Sequence, residues 1–199
     1  MSVHGMQLSL AQLHQWLPGS RLVGDGRRWI QRVHTDSRSV QANDLFVALR
    51  GERFDAHDFL QDVVEQGAAA VVVEHIPDGF VLPALVVNDT RYALGQMAHF
   101  WRRKFNIPVI GVTGSNGKTV VKEWLFQLLN PDYYIIRSPR SYNSQIGVPL
   151  SVWRMTASHT LGIFEAGISQ PAEMERLAAV IRPTIGVLDR KSTRLNSSH

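Results

Sequence analysis

A lysine and a threonine at the end of a glycine-rich run form a combination suited to holding phosphate. Residues 111 to 124, GVTGSNGKTVVKEW, contain one. The run departs from the usual phosphate-loop template, a glycine, four residues and then Gly-Lys-Ser/Thr. The place of the first glycine is taken by Val112, and the glycines are Gly111, Gly114 and Gly117. The functional end, Gly117, Lys118 and Thr119, is intact. Glycines permit positive φ and close backbone approach to phosphate oxygens. A helix that starts here would add free N–H groups and roughly half a positive charge. Thr113, Gly114, Ser115, Asn116, Gly117, Lys118 and Thr119 are therefore the expected phosphate cradle. Lys118 would reach the β- and γ-phosphates, and the Thr119 hydroxyl would hold Mg²⁺. The alternative is a plain glycine-rich turn with an exposed lysine; it leaves the GKT ending between a strand and a helix unexplained.

Other polar residues are less specific. Glu165 follows the apolar run TLGIF, so its side chain can lie at the C-terminal edge of a sheet, where ligands bind in open α/β folds. Alone it could equally be a solvated strand-end carboxylate. Asn143 and Ser144 precede a helical stretch and are good helix caps. Ser37 and Arg38, in TDSR, sit where a strand turns into a loop, and Asp36 there is suited to an Asx turn. Arg140 reads as solvated, and His57 as a cap of the helix after it. The remaining histidines lack metal-ligand spacing.

These residues need elements to position them. LSLAQLHQWL (8–17) carries leucines along one helical face, and WIQRVH (29–34) and LFVAL (45–49) are strand-like. AHDFLQDVVEQG reads as a helix ended by Gly67, and AAAVVVE (68–74) and PALVVND (83–89) as buried parallel strands. A first α/β domain is expected over residues 1–89. TRYALGQMAHFWRRKFN (90–106), with Thr90 as N-cap, is a helix expected to lead into a second domain over residues 90–188. There IPVIGV, YYIIR, TLGIFEAG and PTIGVL are strands, and KTVVKEWLFQLL, QIGVPLSVW and PAEMERLAAVI are helices. Such alternation implies a parallel sheet with helices on both faces.

Composition excludes more than it selects. The chain has 199 residues, ordinary apolar content and no cysteine. Disulfides, thiolate metal sites and cysteine nucleophiles are thus absent, and a reducing cytoplasm fits. No signal peptide or membrane-spanning run is legible. The net charge of +4 falls to +1 without the last ten residues, which hold three basic residues and no acidic one. That removes the ground for a nucleic-acid ATPase.

At the level of whole motifs, TGSNGKT resembles the ATP loop of the Mur ligases, which join amino acids or a dipeptide to a cell-wall precursor. TDSR (35–38) with DLFVALRGERFDAHDF (44–59) resembles the uridine-nucleotide domain of that family. SYNSQIGVPLSVW (141–153) is similar to the segment after the ATP loop, and EAGIS (165–169) to the acidic strand end that binds magnesium. The form T-G-x-x-G-K-T/S is usual in that family, so Val112 is a family trait. The likeness is greatest to the branch that adds D-alanyl-D-alanine to UDP-N-acetylmuramoyl-tripeptide. KEWL, SYNSQIGVPLSVW and GISQPAEME look most like a form fused to alanine racemase.

The resemblance implies ATP and Mg²⁺ as cofactors and amide formation through an acyl phosphate. It implies Lys118 and Glu165 as catalytic groups, with Thr119 and Glu165 as hard oxygen ligands of Mg²⁺. Asn143, Ser144, Ser37 and Arg38 would face substrate, the last two bordering the uridine diphosphate. The implied partners are UDP-N-acetylmuramoyl-tripeptide and D-alanyl-D-alanine, for a monomer without nucleic acid or membrane insertion. Addition of a third amino acid, lysine or diaminopimelate, and a non-catalytic nucleotide-binding module are the rival readings. After PTIGVL the family pattern runs on into Thr-Asn-Ile-Gly and a magnesium-binding histidine. This chain reads DRKSTRLNSSH instead, so residues 189–199 are expected to be foreign to the fold and disordered, and the whole to be an inactive N-terminal fragment.

Overall fold

The computed structural model describes residues 7–140, 142–167 and 172–189. It divides into two compact units, Met1–Lys104 and Phe105–His199.

In the first unit, β1 (Leu8–Ser9) leads into α1 (Leu10–Gln15). Ser9 and Gln12 form a reciprocal capping box, which explains why this helix starts after Ser9 although the leucine pattern begins at Leu8. Then follow β2 (Arg21–Val23), β3 (Trp29–Ile30), β4 (Arg32–His34), a 3₁₀ turn at Ser37–Ser39 and β5 (Asp44–Val47). A second 3₁₀ turn (Ala56–Phe59) runs into α2 (Leu60–Glu65), and β6 (Ala70–Val73), β7 (Ala84–Val86) and α3 (Thr90–Arg102) complete the unit. The sheet order is β2-β7-β6-β5-β4, parallel except for β2. β5 and β6 are buried along their whole length, as continuous apolar runs in a covered parallel sheet should be. Asp44 is buried in β5 because Arg32 grips both its oxygens and the Gln41 N–H binds one of them.

Two expectations change here. The N-cap of α3 is Asp89, whose carboxylate accepts the Tyr92 N–H at 2.9 Å. Thr90 is the first helical residue and is buried. The helix also belongs with the first unit: Phe100 stacks on Trp16 and Lys104 lies over the same indole. The boundary therefore follows Lys104, later than the expected residue 89.

The second unit runs β8 (Val109–Gly114), α4 (Lys118–Leu129), β9 (Ile135–Arg137), α5 (Gly147–Val152), β10 (Leu161–Ala166), α6 (Glu173–Ile181) and β11 (Ile185–Asp189). All pairings are parallel, in the order β11-β8-β10-β9. Alternation along β8 and β10 sends Ile110, Val112, Leu161 and Ile163 to one face, where they pack under Val121 and Leu125 of α4. α5 and α6 pack against each other and against β10. Asp189 ends β11 in register with Gly114, so that residue is part of the sheet. The rest of the tail expected to be disordered, residues 190–199, lies outside the described residues.

Candidate functional site

The glycine loop joins the C-terminal end of β8 to the N-terminus of α4. Gly117 takes φ 75° and Gly114 φ 143°, values that favour glycine, and Gly117 is the N-cap of α4 without any side-chain cap. The twelve-residue helix thus starts without a side-chain cap of its own, at the sheet edge where the Asp189 carboxylate lies against Gly117. Ser115 and Asn116 are exposed at the crest of the loop. Lys118 folds back, its ammonium 2.9 Å from the Gly114 carbonyl. The Thr113 hydroxyl points sideways and donates to the Ala166 carbonyl at 3.0 Å, so it clamps β8 to β10.

Glu165 comes to this loop by strand arithmetic. It is two residues beyond Ile163 on the same face of β10, paired with Val112 one strand away. Leu161 and Ile163 support the middle of α4, and the next position on that face meets its first turn. Oε2 of Glu165 accepts the Thr119 hydroxyl at 3.2 Å and the Asn143 amide at 3.4 Å. The carboxylate has no solvent exposure, a costly state for an uncompensated charge.

The compensating group is Lys122, which sequence reasoning passed over. Its ammonium lies 2.9 Å from Oε1 of Glu165 and 3.3 Å from Glu123. It also donates to the carbonyls of Ser138, at 2.9 Å, and Arg140. Lys122 is the one buried residue among the helical positions of α4. The signal was available: one turn past Lys118, it interrupts the apolar stripe of Val121, Leu125 and Leu129. Arg140 is exposed, as expected, while its carbonyl accepts from Lys122 and its φ is 50°.

Not every expected residue converges. Asn143 reaches Glu165 and its carbonyl accepts the Gly167 N–H at 2.7 Å. The Ser144 hydroxyl is turned to the start of α5, accepting from Gly147 at 3.1 Å, so it acts as a cap. A magnesium ion suits the donors that do converge. Thr119 and Oε2 of Glu165 are hard oxygens beside the helix N-terminus, and Mg²⁺ is commonly held by one or two carboxylates plus substrate phosphates. Among the described residues no group of three or more His, Asp or Glu could hold a metal unaided.

The first unit has its own cleft, of about 900 Å³, lined by Thr35, Asp36, Ser37 and Arg38 on one side and Phe54 and Phe59 on another. The two phenyl rings stack at 5.0 Å. Asp36 forms the Asx turn, accepting the Arg38 N–H, and its two oxygens also receive Nε and Nη2 of Arg38 at 2.9 and 2.8 Å. These bonds from Arg38, led by those of its side chain, hold the Asp36 carboxyl down to about 2. They preset the guanidinium, which is otherwise exposed. Ser37 is buried in the cleft wall, and its carbonyl binds Gln66. His57 is structural. Its Nδ1 bonds Asp55 at 2.6 Å and its Nε2 accepts the Glu74 N–H at 2.9 Å, which fixes the neutral tautomer.

Among the described residues no helix is long and apolar enough to cross a membrane. Comparison with known proteins covers both units. The description "Mur ligase family, catalytic domain" fits residues 30–102, and "Mur ligase middle domain" fits residues 112–194. A UDP-N-acetylmuramoyl-tripeptide–D-alanyl-D-alanine ligase of Haemophilus influenzae is 36% identical over 188 residues, covering 92% of this chain and 41% of its own length. MurF from Acinetobacter baumannii superposes with a TM-score of 0.87 at 32% identity, over 94% of this chain and 41% of its own. MurF ligase from Thermotoga maritima, crystallised in complex with ADP, gives 0.74 at 31% identity, over 80% of this chain and 37% of its own. The chain therefore spans about two fifths of the length of these relatives.

Proposed function

Because this chain belongs to the Mur ligase family, we propose that it forms the uridine-nucleotide and ATP portions of an enzyme that adds D-alanyl-D-alanine to UDP-N-acetylmuramoyl-tripeptide. One observation carries the reading: Lys118, Thr119 and Glu165 meet at the N-terminus of α4, at one end of β8 and β10. In the proposed reaction the terminal carboxylate of the peptide precursor attacks the γ-phosphorus of ATP, and ADP leaves. The amine of D-alanyl-D-alanine then attacks the acyl phosphate carbonyl, and phosphate leaves.

Both partners of the first step are anions, so the protein's task is alignment and charge neutralisation. The loop N–H groups and the start of α4 hold the phosphate chain. Lys118, released from the Gly114 carbonyl, supplies a fixed cation at the transferred group. Thr119 and Glu165 would hold Mg²⁺, which when bound neutralises phosphate charge. In the first unit, the preset guanidinium of Arg38 and the stacked pair Phe54 and Phe59 suit a diphosphate and a flat base, respectively. A cytoplasmic location follows from the substrates.

Calorimetry tests the ATP portion. The chain should bind ADP in the presence of Mg²⁺, and Lys118→Ala should weaken that binding at least about tenfold, the scale of one bond to a charged group. Equal affinity in the two proteins would overturn the role given to Lys118. The full reaction also needs a site for the dipeptide, which we place in the part of the relatives that this chain does not match. The chain alone should then give little or no turnover. Phosphate release that depends on both the tripeptide precursor and D-alanyl-D-alanine would overturn that assignment.

A further inference from the structure

Glu165 presents two unlike oxygens. Oε2 faces the glycine loop, within reach of Thr119 and Asn143. Oε1 faces the Lys122 ammonium at 2.9 Å, off the direction of a hydrogen bond, so charge alone neutralises it. Lys122 cannot turn away. It is fully buried, and its ammonium is also tied to the carbonyls of Ser138 and Arg140. The backbone N–H of Glu165 is fixed in turn by the Ser138 hydroxyl at 3.0 Å. The carboxylate is thus clamped from behind, and a cation approaching from the loop meets one oxygen.

Building on the reading of this sheet edge as a metal–nucleotide site, we infer that Lys122 is a positioning residue that restricts Glu165 to one-oxygen ligation and so sets the preference of the site for Mg²⁺ over Ca²⁺. Mg²⁺ demands near-ideal octahedral geometry with oxygens at about 2.0–2.1 Å. Ca²⁺ takes more ligands, at about 2.3–2.6 Å, and readily accepts both oxygens of one carboxylate. The ammonium on Oε1 denies that second bond. The same ammonium ties the Ser138–Arg140 segment to β10 and thereby helps keep Asn143 on Oε2.

The test compares ADP affinity in Mg²⁺, in Ca²⁺ and in chelator, by calorimetry, for the chain, Lys122→Met and Lys122→Arg. The ratio of Mg²⁺- to Ca²⁺-supported affinity should fall about tenfold or more in Lys122→Met, as expected when an outer partner of a metal ligand is lost. Lys122→Arg, which keeps the cation, should retain the ratio. A Lys122→Met variant that weakens binding by the same factor in all three conditions has only a structural defect, and that result overturns the inference. Binding by the parent chain that needs a metal but does not distinguish Mg²⁺ from Ca²⁺ overturns the inference alone. Absence of any metal-dependent ADP binding overturns the site reading and the inference with it. Should Lys122→Met fail to fold, infrared difference spectra of the parent chain on adding Mg²⁺ and ADP decide. The carboxylate bands of one-oxygen ligation, missing in Glu165→Gln, support the inference; two-oxygen bands overturn it.

Discussion

Glu165 without Lys122 would be a carboxylate taken wholly out of water with no counter-charge, and Lys122 without Glu165 a fully buried cation left with two backbone carbonyls and the half-exposed Glu123. Breaking such a pair from one side costs about 3–5 kcal/mol, while replacing both partners by neutral groups can cost almost nothing. Glu165→Gln should therefore lower unfolding free energy in urea by about that amount, and adding Lys122→Met should restore most of it. A double variant no more stable than the single one would show that the pair is not coupled. At the other cleft, Asp36 offers a titration. Its carboxyl is held down to about 2, chiefly by the Arg38 side chain. A depressed folded value means stability that is present above the ordinary carboxylate range and lost as pH falls through about 2. Nuclear magnetic resonance should find the Asp36 carboxyl still ionised near pH 3, and titrating higher in Arg38→Ala but still below its ordinary value of about 3.9, because the backbone N–H of residue 38 continues to donate to it.

Elements place these groups, and their ends were the hardest part to read. The glycine loop, the core strands and the acidic end of TLGIFEAG were legible because apolar runs bounded by glycine have few other outcomes. β2 was not, because Arg21–Val23 is short and joins the sheet antiparallel, without an apolar run of its own. Asp89 and Thr90 are adjacent and both suit an N-cap; only the bond to Tyr92 separates them. Asp89→Ala should accordingly cost about 1 kcal/mol and lower the melting temperature of the first unit. Lys122 escaped notice for a related reason. A Lys-Glu pair in a helix normally reads as solvated, and only the register of β10 reveals that a carboxylate waits beneath it. Ser144 went the other way, because its helix cap left the hydroxyl committed.

At the scale of the whole molecule, the two candidate sites lie in separate compact units. Substitutions at Lys118 or Glu165 should leave affinity for UDP unchanged, and Arg38→Ala should weaken UDP binding while leaving ADP affinity intact, both by calorimetry. Cross-effects larger than the error of the titrations would contradict this separation. The order of strands in the second sheet also bears on how the protein is made. β8 is the first of its strands to leave the ribosome, yet its neighbours are β10 and β11, the last two described. The glycine loop therefore emerges early and waits, unpaired on both sides, for most of its unit to be synthesised. Ribosome-bound chains halted before β11 has cleared the exit tunnel should gain no protection from protease by ADP and Mg²⁺, whereas chains halted after it should.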